Sequence, residues 1–108
     1  MTAKPCSLAE AIAMIREEFP EADLLTWAAK PELGAVIEAH FGIGMWIRNQ
    51  WAYGEGCPLV FKLREHSYIF RLEDEVSSII LEGLWRFLNG EKDLTIEQLI
   101  SDRYGKTE

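Results

Sequence analysis

Residues 40–51 read His40-Phe41-Gly42-Ile43-Gly44-Met45-Trp46-Ile47-Arg48-Asn49-Gln50-Trp51, and the rest of the chain is organised around this block. Its two glycines, Gly42 and Gly44, indicate a bend or a place where another backbone comes near. Beyond them Ile43, Ile47 and Trp51 lie four residues apart, which predicts one face of a helix. Alternating apolar residues in the same block also fit a strand, but we favour the helix because the polar residues between them do not break it.

Further helices are predicted upstream of the block. Ser7-Leu8-Ala9-Glu10 is a capping box, and apolar residues at helical spacing follow it until Pro20 ends the element. A helical turn or two is expected over residues 24–27. Pro31-Glu32 is typical of another helix start. The apolar residues that share one face of that helix are expected to be Leu33, Val36, Ile37, His40 and Phe41.

The segment 59–72 fits two different structures. Its apolar residues alternate as in the two strands of a β-hairpin, with residues 64–67 as the turn. However, Pro58 followed by Leu59, Val60 and Leu63 also fits a short helix. The pattern alone does not decide between them.

The last part of the chain predicts two more helices. Glu73-Asp74-Glu75 places three carboxylates where the positive end of a helix dipole favours them, and Asn89-Gly90 supplies a stop. A wide apolar stripe between these two signals predicts the longest helix and the centre of the core. Thr95-Ile96-Glu97-Gln98 is a second capping box and starts the final helix.

Together these elements predict a mainly α fold. We expect a compact bundle of about five helices, with a short β-hairpin around residues 59–72 as the open alternative. The length of 108 residues fits a single globular domain over residues 1–108. The composition agrees, because 48% hydrophobic and 27% charged residues are typical of a globular protein.

Charge and cysteine content indicate which partners and which cellular compartment to expect. The net charge of −7 argues against a nucleic-acid partner, because phosphate contact requires a basic face. The two cysteines, Cys6 and Cys57, are expected to be free thiols in a reducing compartment. No signal peptide and no membrane-spanning run is recognisable. We therefore expect a cytoplasmic protein with no membrane association.

The block is similar to the signature of a family of small, uncharacterised bacterial proteins. That signature is His-Phe-Gly-x-Gly-Met-Trp-Ile-Arg-Asn-x-Trp, and Ser77-Ser78-Ile79-Ile80-Leu81 and Leu88-Asn89-Gly90 match its later part in order and spacing. The resemblance covers roughly residues 36–100. It departs at Leu72-Glu73-Asp74-Glu75, where the family often has His-Pro-Asp-Asp, and after Trp51. The resemblance implies a mostly helical fold, favours a helix for residues 58–66 and implies no activity.

The block also holds the candidate binding residues. Trp, Tyr and Arg are enriched in binding hot spots, and Asn and His add hydrogen-bonding groups. Core packing of the tryptophans, with the polar residues bonded to backbone, is the structural alternative. The candidate binding residues are His40, Trp46, Arg48, Asn49, Trp51 and Tyr53.

No catalytic, metal or cofactor site is predicted. His40 and His66 are far apart in sequence, and no His, Cys, Asp or Glu residues have the spacing of metal ligands. Glu73, Asp74 and Glu75 are adjacent on a helix and point in different directions, so they do not form a facing acid–base pair.

The leading hypothesis is a non-enzymatic interaction module, such as an inhibitor or immunity-type protein, that binds one macromolecular partner. The alternative is a small ligand-binding protein or enzyme with a pocket around His40, Trp46, Arg48 and Asn49. A homo-oligomer that packs its exposed aromatic residues against a second copy is a third option.

Overall fold

The structure is a computed structural model that describes residues 3–105. Its first helix shows how the local sequence determines where a helix begins and ends. Helix α1 (Leu8–Glu18) begins after Ser7, whose hydroxyl accepts a hydrogen bond from the Glu10 N–H. The Glu10 carboxylate in turn accepts a hydrogen bond of 2.7 Å from the Cys6 N–H. The helix ends at Phe19, which is extended before Pro20. The predicted capping box and stop are therefore both confirmed.

Within residues 3–105 the chain forms seven α-helices and no strand. They are α1 (Leu8–Glu18), α2 (Glu21–Ala28), α3 (Glu32–Glu38), α4 (Ile43–Ile47), α5 (Pro58–His66), α6 (Glu73–Leu88) and α7 (Ile96–Tyr104). The mainly α prediction is confirmed, but about five helices is too low a number. The shortest elements explain the difference, because a five-residue helix such as α4 is too short to show a clear period.

The β-hairpin alternative for residues 59–72 is wrong. Pro58 occupies the start of α5, and a short 3₁₀ turn, Tyr68–Arg71, follows it. Leu59 and Leu63 are buried on one face of α5, whereas Phe61 between them is 64% exposed. The helix that the family resemblance favours for residues 58–66 is confirmed. Burial at a spacing of four, rather than two, decides this segment.

Helix α6 forms the centre of the hydrophobic core. Its residues Val76, Ile80 and Leu84 are fully buried. A Cβ atom at Gly83 would lie 3.0 Å from a methyl carbon of Leu8 and 3.1 Å from one of Leu99. Helices α1 and α7 therefore pack tightly against α6 at this glycine. Gly90, with φ of +101°, follows the end of α6 and confirms the predicted stop.

The cysteines lie in different environments. Both are free: Cys6 is exposed and Cys57 is buried, and burial raises the pKa of the Cys57 thiol. None of the helices among residues 3–105 has the length and apolar character that crossing a bilayer requires.

Candidate functional site

The Arg48 guanidinium holds the block 40–51 together from inside. Its Nη2 donates a hydrogen bond of 2.9 Å to the His40 carbonyl, and its Nη1 donates one of 2.9 Å to the Ser77 hydroxyl. Its Nε lies 3.7 Å from the Asp74 carboxylate. Arg48 itself is only 4% exposed. One buried side chain thus connects the end of the α3 segment to the first turns of α6.

Gly44 gives this arginine its space. A Cβ atom at position 44 would lie 3.0 Å from the Ala39 carbonyl oxygen and 3.2 Å from Arg48 Nη1. Gly42 lies two residues earlier, between a 3₁₀ turn (Ala39–Phe41) and the start of α4. The glycine pair therefore marks both a bend and a close approach of another backbone segment, as the sequence predicts.

The end of the block is a π-helical turn, Arg48–Ala52, closed by a hydrogen bond of 2.9 Å from the Tyr53 N–H to the Arg48 carbonyl. Trp51 is buried within it, and its Nε1 has no hydrogen-bond partner among the described residues. Trp46 packs edge-to-face against Trp51 and Phe19, with ring centroids 5.2 Å and 5.6 Å apart. The tryptophans therefore belong largely to the packing of the fold.

The six residues predicted for binding lie in three environments. Arg48 and Trp51 are buried, His40 and Trp46 are half-buried, and Asn49 and Tyr53 are exposed. The structure brings His40 and Arg48 together, with Nδ1 and Nη1 3.5 Å apart. It does not place all six on one exposed face. A binding role for them stays a prediction.

The environment of Arg48 also bears on a pocket at this place. Its guanidinium already bonds to the His40 carbonyl and the Ser77 hydroxyl, and it lies beside Asp74. A substrate would have to displace these internal partners before the guanidinium could bind it. As it stands, Arg48 is an internal anchor.

An exposed apolar surface lies on and beyond α3, and the sequence pattern did not predict it. We call it the α3 ridge and define it as Leu33, Ile37, Phe41 and Met45, which are 74%, 65%, 76% and 41% exposed. The prediction that one apolar face carries Leu33, Ile37 and Phe41 together with Val36 is therefore wrong in part, since only Val36 of these four is buried. The small residues Ala35 and Ala39 are buried together with Val36. The pair of alanines four residues apart was the signal available in the sequence.

Next to the ridge, a groove of about 510 Å³ runs between α3 and α7 over the surface of α6. Leu33 and Ile37 form an apolar wall on the α3 side. The floor on α6 includes Glu75 and Glu82, and Arg103 lies on the α7 side. The groove thus combines an apolar wall with a charged floor.

Ion pairs organise this floor. Arg103 donates hydrogen bonds to Glu82, to Glu75 at 3.1 Å and to the Ser78 hydroxyl at 2.7 Å. Burial raises the pKa of the Glu82 carboxyl, and the nearby Glu32 carboxylate adds to this effect, while Arg103 opposes it without cancelling it. The Glu82 carboxyl therefore holds its proton more tightly than an ordinary glutamate, chiefly because it is buried.

A second arginine, Arg86, also donates hydrogen bonds to two carboxylates. Arg86 donates hydrogen bonds of 2.9 Å to Glu32 and 2.5 Å to Asp102. Burial lowers the pKa of Arg86, but these bonds outweigh burial and raise the pKa above its ordinary value. Among residues 3–105, no group of three or more His, Cys, Asp or Glu side chains is placed to hold a metal ion.

Comparison with known families shows which family the chain belongs to. The model of a family described as a domain of unknown function (DUF6794) matches residues 4–88, and the chain therefore belongs to that family. The match includes the block 40–51 and the α3 ridge, whereas α7 follows it. It agrees with the resemblance to an uncharacterised family. No curated protein and no solved structure matches the chain.

Proposed function

We propose that this member of the DUF6794 family is a non-enzymatic interaction module that binds one macromolecular partner through the α3 ridge. The observation that carries this proposal is the exposure of four large apolar side chains within one segment of the chain, two of which, Leu33 and Ile37, line the same groove. Exposed apolar surface of this kind on a small protein commonly marks an interaction site. Binding without chemistry is how an inhibitor or immunity-type protein acts, and that is the class we propose.

The fold itself does not require the ridge to be apolar. The helix α3 segment contacts the core through Ala35, Val36 and Ala39. Burying a side chain such as Leu33 or Phe41 would contribute about 1.5–3 kcal/mol. In the free chain this free energy is not gained, and a partner that covers the ridge would gain it. Binding a partner would therefore bury apolar side chains that the packing of the free chain leaves exposed.

A pair of matched variants tests the proposal. Phe41 on the ridge and Phe61 on α5 are 76% and 64% exposed. Tagged wild-type protein, Phe41→Ser and Phe61→Ser are produced in the native host, and the proteins that co-purify are compared. We expect one partner to be recovered with wild type and with Phe61→Ser, but to be lost with Phe41→Ser. Recovery of the same partner with Phe41→Ser, or of no partner with wild type, would contradict the proposal.

Stability measurements make this comparison interpretable. Neither phenylalanine is in the buried core, so both variants are expected to melt within a few degrees of wild type. Loss of the partner by a Phe41→Ser protein that melts normally is then a surface effect.

A further inference from the structure

We infer that the partner presents a basic amphipathic helix, which lies in the groove between α3 and α7. Its apolar face contacts Leu33 and Ile37, and its basic side chains lie over the carboxylates of the floor. This inference rests on the proposed function and adds the chemistry of the partner.

The shape of the groove fits a helix. The part of the ridge from Leu33 to Phe41 runs through α3 and the following 3₁₀ turn, so it extends about 13 Å, or roughly two turns. An amphipathic helix lying beside it would place two or three apolar side chains against this length. The partner helix would thus lie with one side against the ridge and with its other side in the groove of about 510 Å³.

The charges of the groove favour basic side chains. Arg86 is shared by Glu32 and Asp102, and Arg103 is shared by Glu75 and Glu82. Among the described residues that line the groove, the carboxylates of Glu32, Glu75 and Glu82 outnumber the two guanidiniums. Glu32 and Glu75 are 32% and 33% exposed, whereas Arg86, Arg103 and Glu82 are only 17%, 16% and 15% exposed. A partner thus meets more carboxylate than guanidinium.

Two further exposed carboxylates are sequence neighbours of groove residues, and each already has a cationic neighbour. Asp74, at the start of α6, is 69% exposed, and Glu38, next to Ile37, is 58% exposed. Lys30 pairs with Glu38, and Arg48 lies beneath Asp74.

The same charges argue against a second copy of the chain as the occupant. Each copy carries a net charge of −7, and pairing two ridges would bring two acidic molecules together. Like charges that face each other across an interface cost free energy, whereas a basic partner is attracted before contact.

A designed peptide tests the chemistry directly. The probe is a fluorescein-labelled, 16-residue peptide of Leu and Lys with one apolar and one basic helical face, and its binding is measured by fluorescence anisotropy. We expect saturable binding that weakens at least tenfold between 50 mM and 500 mM NaCl, because exposed charges are screened. Ile37→Ser should weaken binding about tenfold. Leu25→Ser removes a 48% exposed leucine outside the groove and should leave binding within twofold of wild type.

Three results would overturn the inference. The first is absence of saturable binding by the basic peptide. The second is equal or tighter binding of a peptide with Glu in place of every Lys; if that binding still depends on Ile37, the ridge remains a binding surface and only the basic partner is wrong. The third is a dimer in light scattering of the protein alone that Ile37→Ser abolishes, since the occupant would then be a second copy. Co-purification with Phe41→Ser tests the proposed function separately.

Discussion

At the scale of single residues, Arg48 connects two distant parts of the fold. It is charged and buried, and it bonds to the carbonyl of His40 and the hydroxyl of Ser77. Removing one member of a buried polar network leaves its partners without hydrogen bonds, which costs more than the bonds contribute in water. The arrangement of the block therefore depends on a residue that could also be interpreted as a hot-spot arginine.

Substitution of Arg48 tests this role. We expect Arg48→Met to lower the free energy of unfolding by about 2–4 kcal/mol, since the His40 carbonyl and Ser77 hydroxyl lose a buried donor. Ser77→Ala should cost about 1–3 kcal/mol, because the buried hydroxyl both accepts a hydrogen bond from Arg48 and donates one to the Asp74 carbonyl. Urea denaturation measures both. As a control, Arg71→Met changes an exposed arginine that lies over the Tyr68 ring and should stay within about 1 kcal/mol of wild type. Equal costs at positions 48 and 71 would contradict the anchor role.

Glu82 predicts a pH dependence of stability. Its pKa is raised in the folded protein, so the folded state binds more protons than the unfolded state between the ordinary and the raised value. Its contribution is therefore fully present below the ordinary pKa of a glutamate, about 4.3, and is lost as the pH rises through the folded pKa. We expect wild type to lose stability relative to Glu82→Gln between pH 4 and pH 7. Urea denaturation across that range measures the free energy of unfolding of both proteins, and a wild type that gains stability relative to Glu82→Gln as the pH rises would contradict the assignment.

At the scale of elements, the two glycines at positions 34 and 44 have opposite roles. Gly34 lies inside α3, and a Cβ atom there would meet no other atom within 4 Å. Gly44 lies against the Ala39 carbonyl oxygen, which belongs to the backbone and cannot move aside easily. The same substitution should therefore have opposite signs at the two positions.

We expect Gly34→Ala to raise the free energy of unfolding by about 0.5–1 kcal/mol, because alanine has the higher helix propensity. Gly44→Ala should lower it by about 1–3 kcal/mol through overpacking. Thermal and urea unfolding of the two variants check this pair. A neutral Gly44→Ala variant would show that position 44 tolerates a side chain.

Elements whose ends carry specific chemistry could be predicted from the sequence. Ser7 and Thr95 both cap helices, with their hydroxyls accepting from the N–H groups of Glu10 and Gln98. The α5 segment could not be settled in this way, because the exposed Phe61 imitates the alternation of a strand. Only tertiary packing, which buries Leu59 and leaves Phe61 in solvent, decides between the two patterns.

The site was predictable only in part for a related reason. The sequence identifies Arg48 and Trp51 as unusual, but the buried environment of Arg48 depends on Ser77, which is 29 residues away. Leu33 and Ile37 look like core residues in a helical pattern, since apolar periodicity does not show which face meets another helix. In the fold, two small alanines face the core and the larger side chains face solvent.

At the scale of the whole molecule, the described residues pack around one hydrophobic core with a radius of gyration of 13.0 Å. That value is what about 100 compactly folded residues give. The core contains the buried part of the block 40–51, so this block contributes to stability. The α3 ridge lies outside the core. The molecule thus separates the residues that hold the fold from those that we propose for binding.

Photo-cross-linking in the native host tests this separation most directly. Ile37 on the ridge and Phe61 on α5 are almost equally exposed, at 65% and 64%. A benzoylphenylalanine is placed at one position or the other, and the cells are irradiated. We expect one discrete adduct of higher mass from position 37 and none from position 61. No adduct from position 37, or the same adduct from both positions, would contradict it.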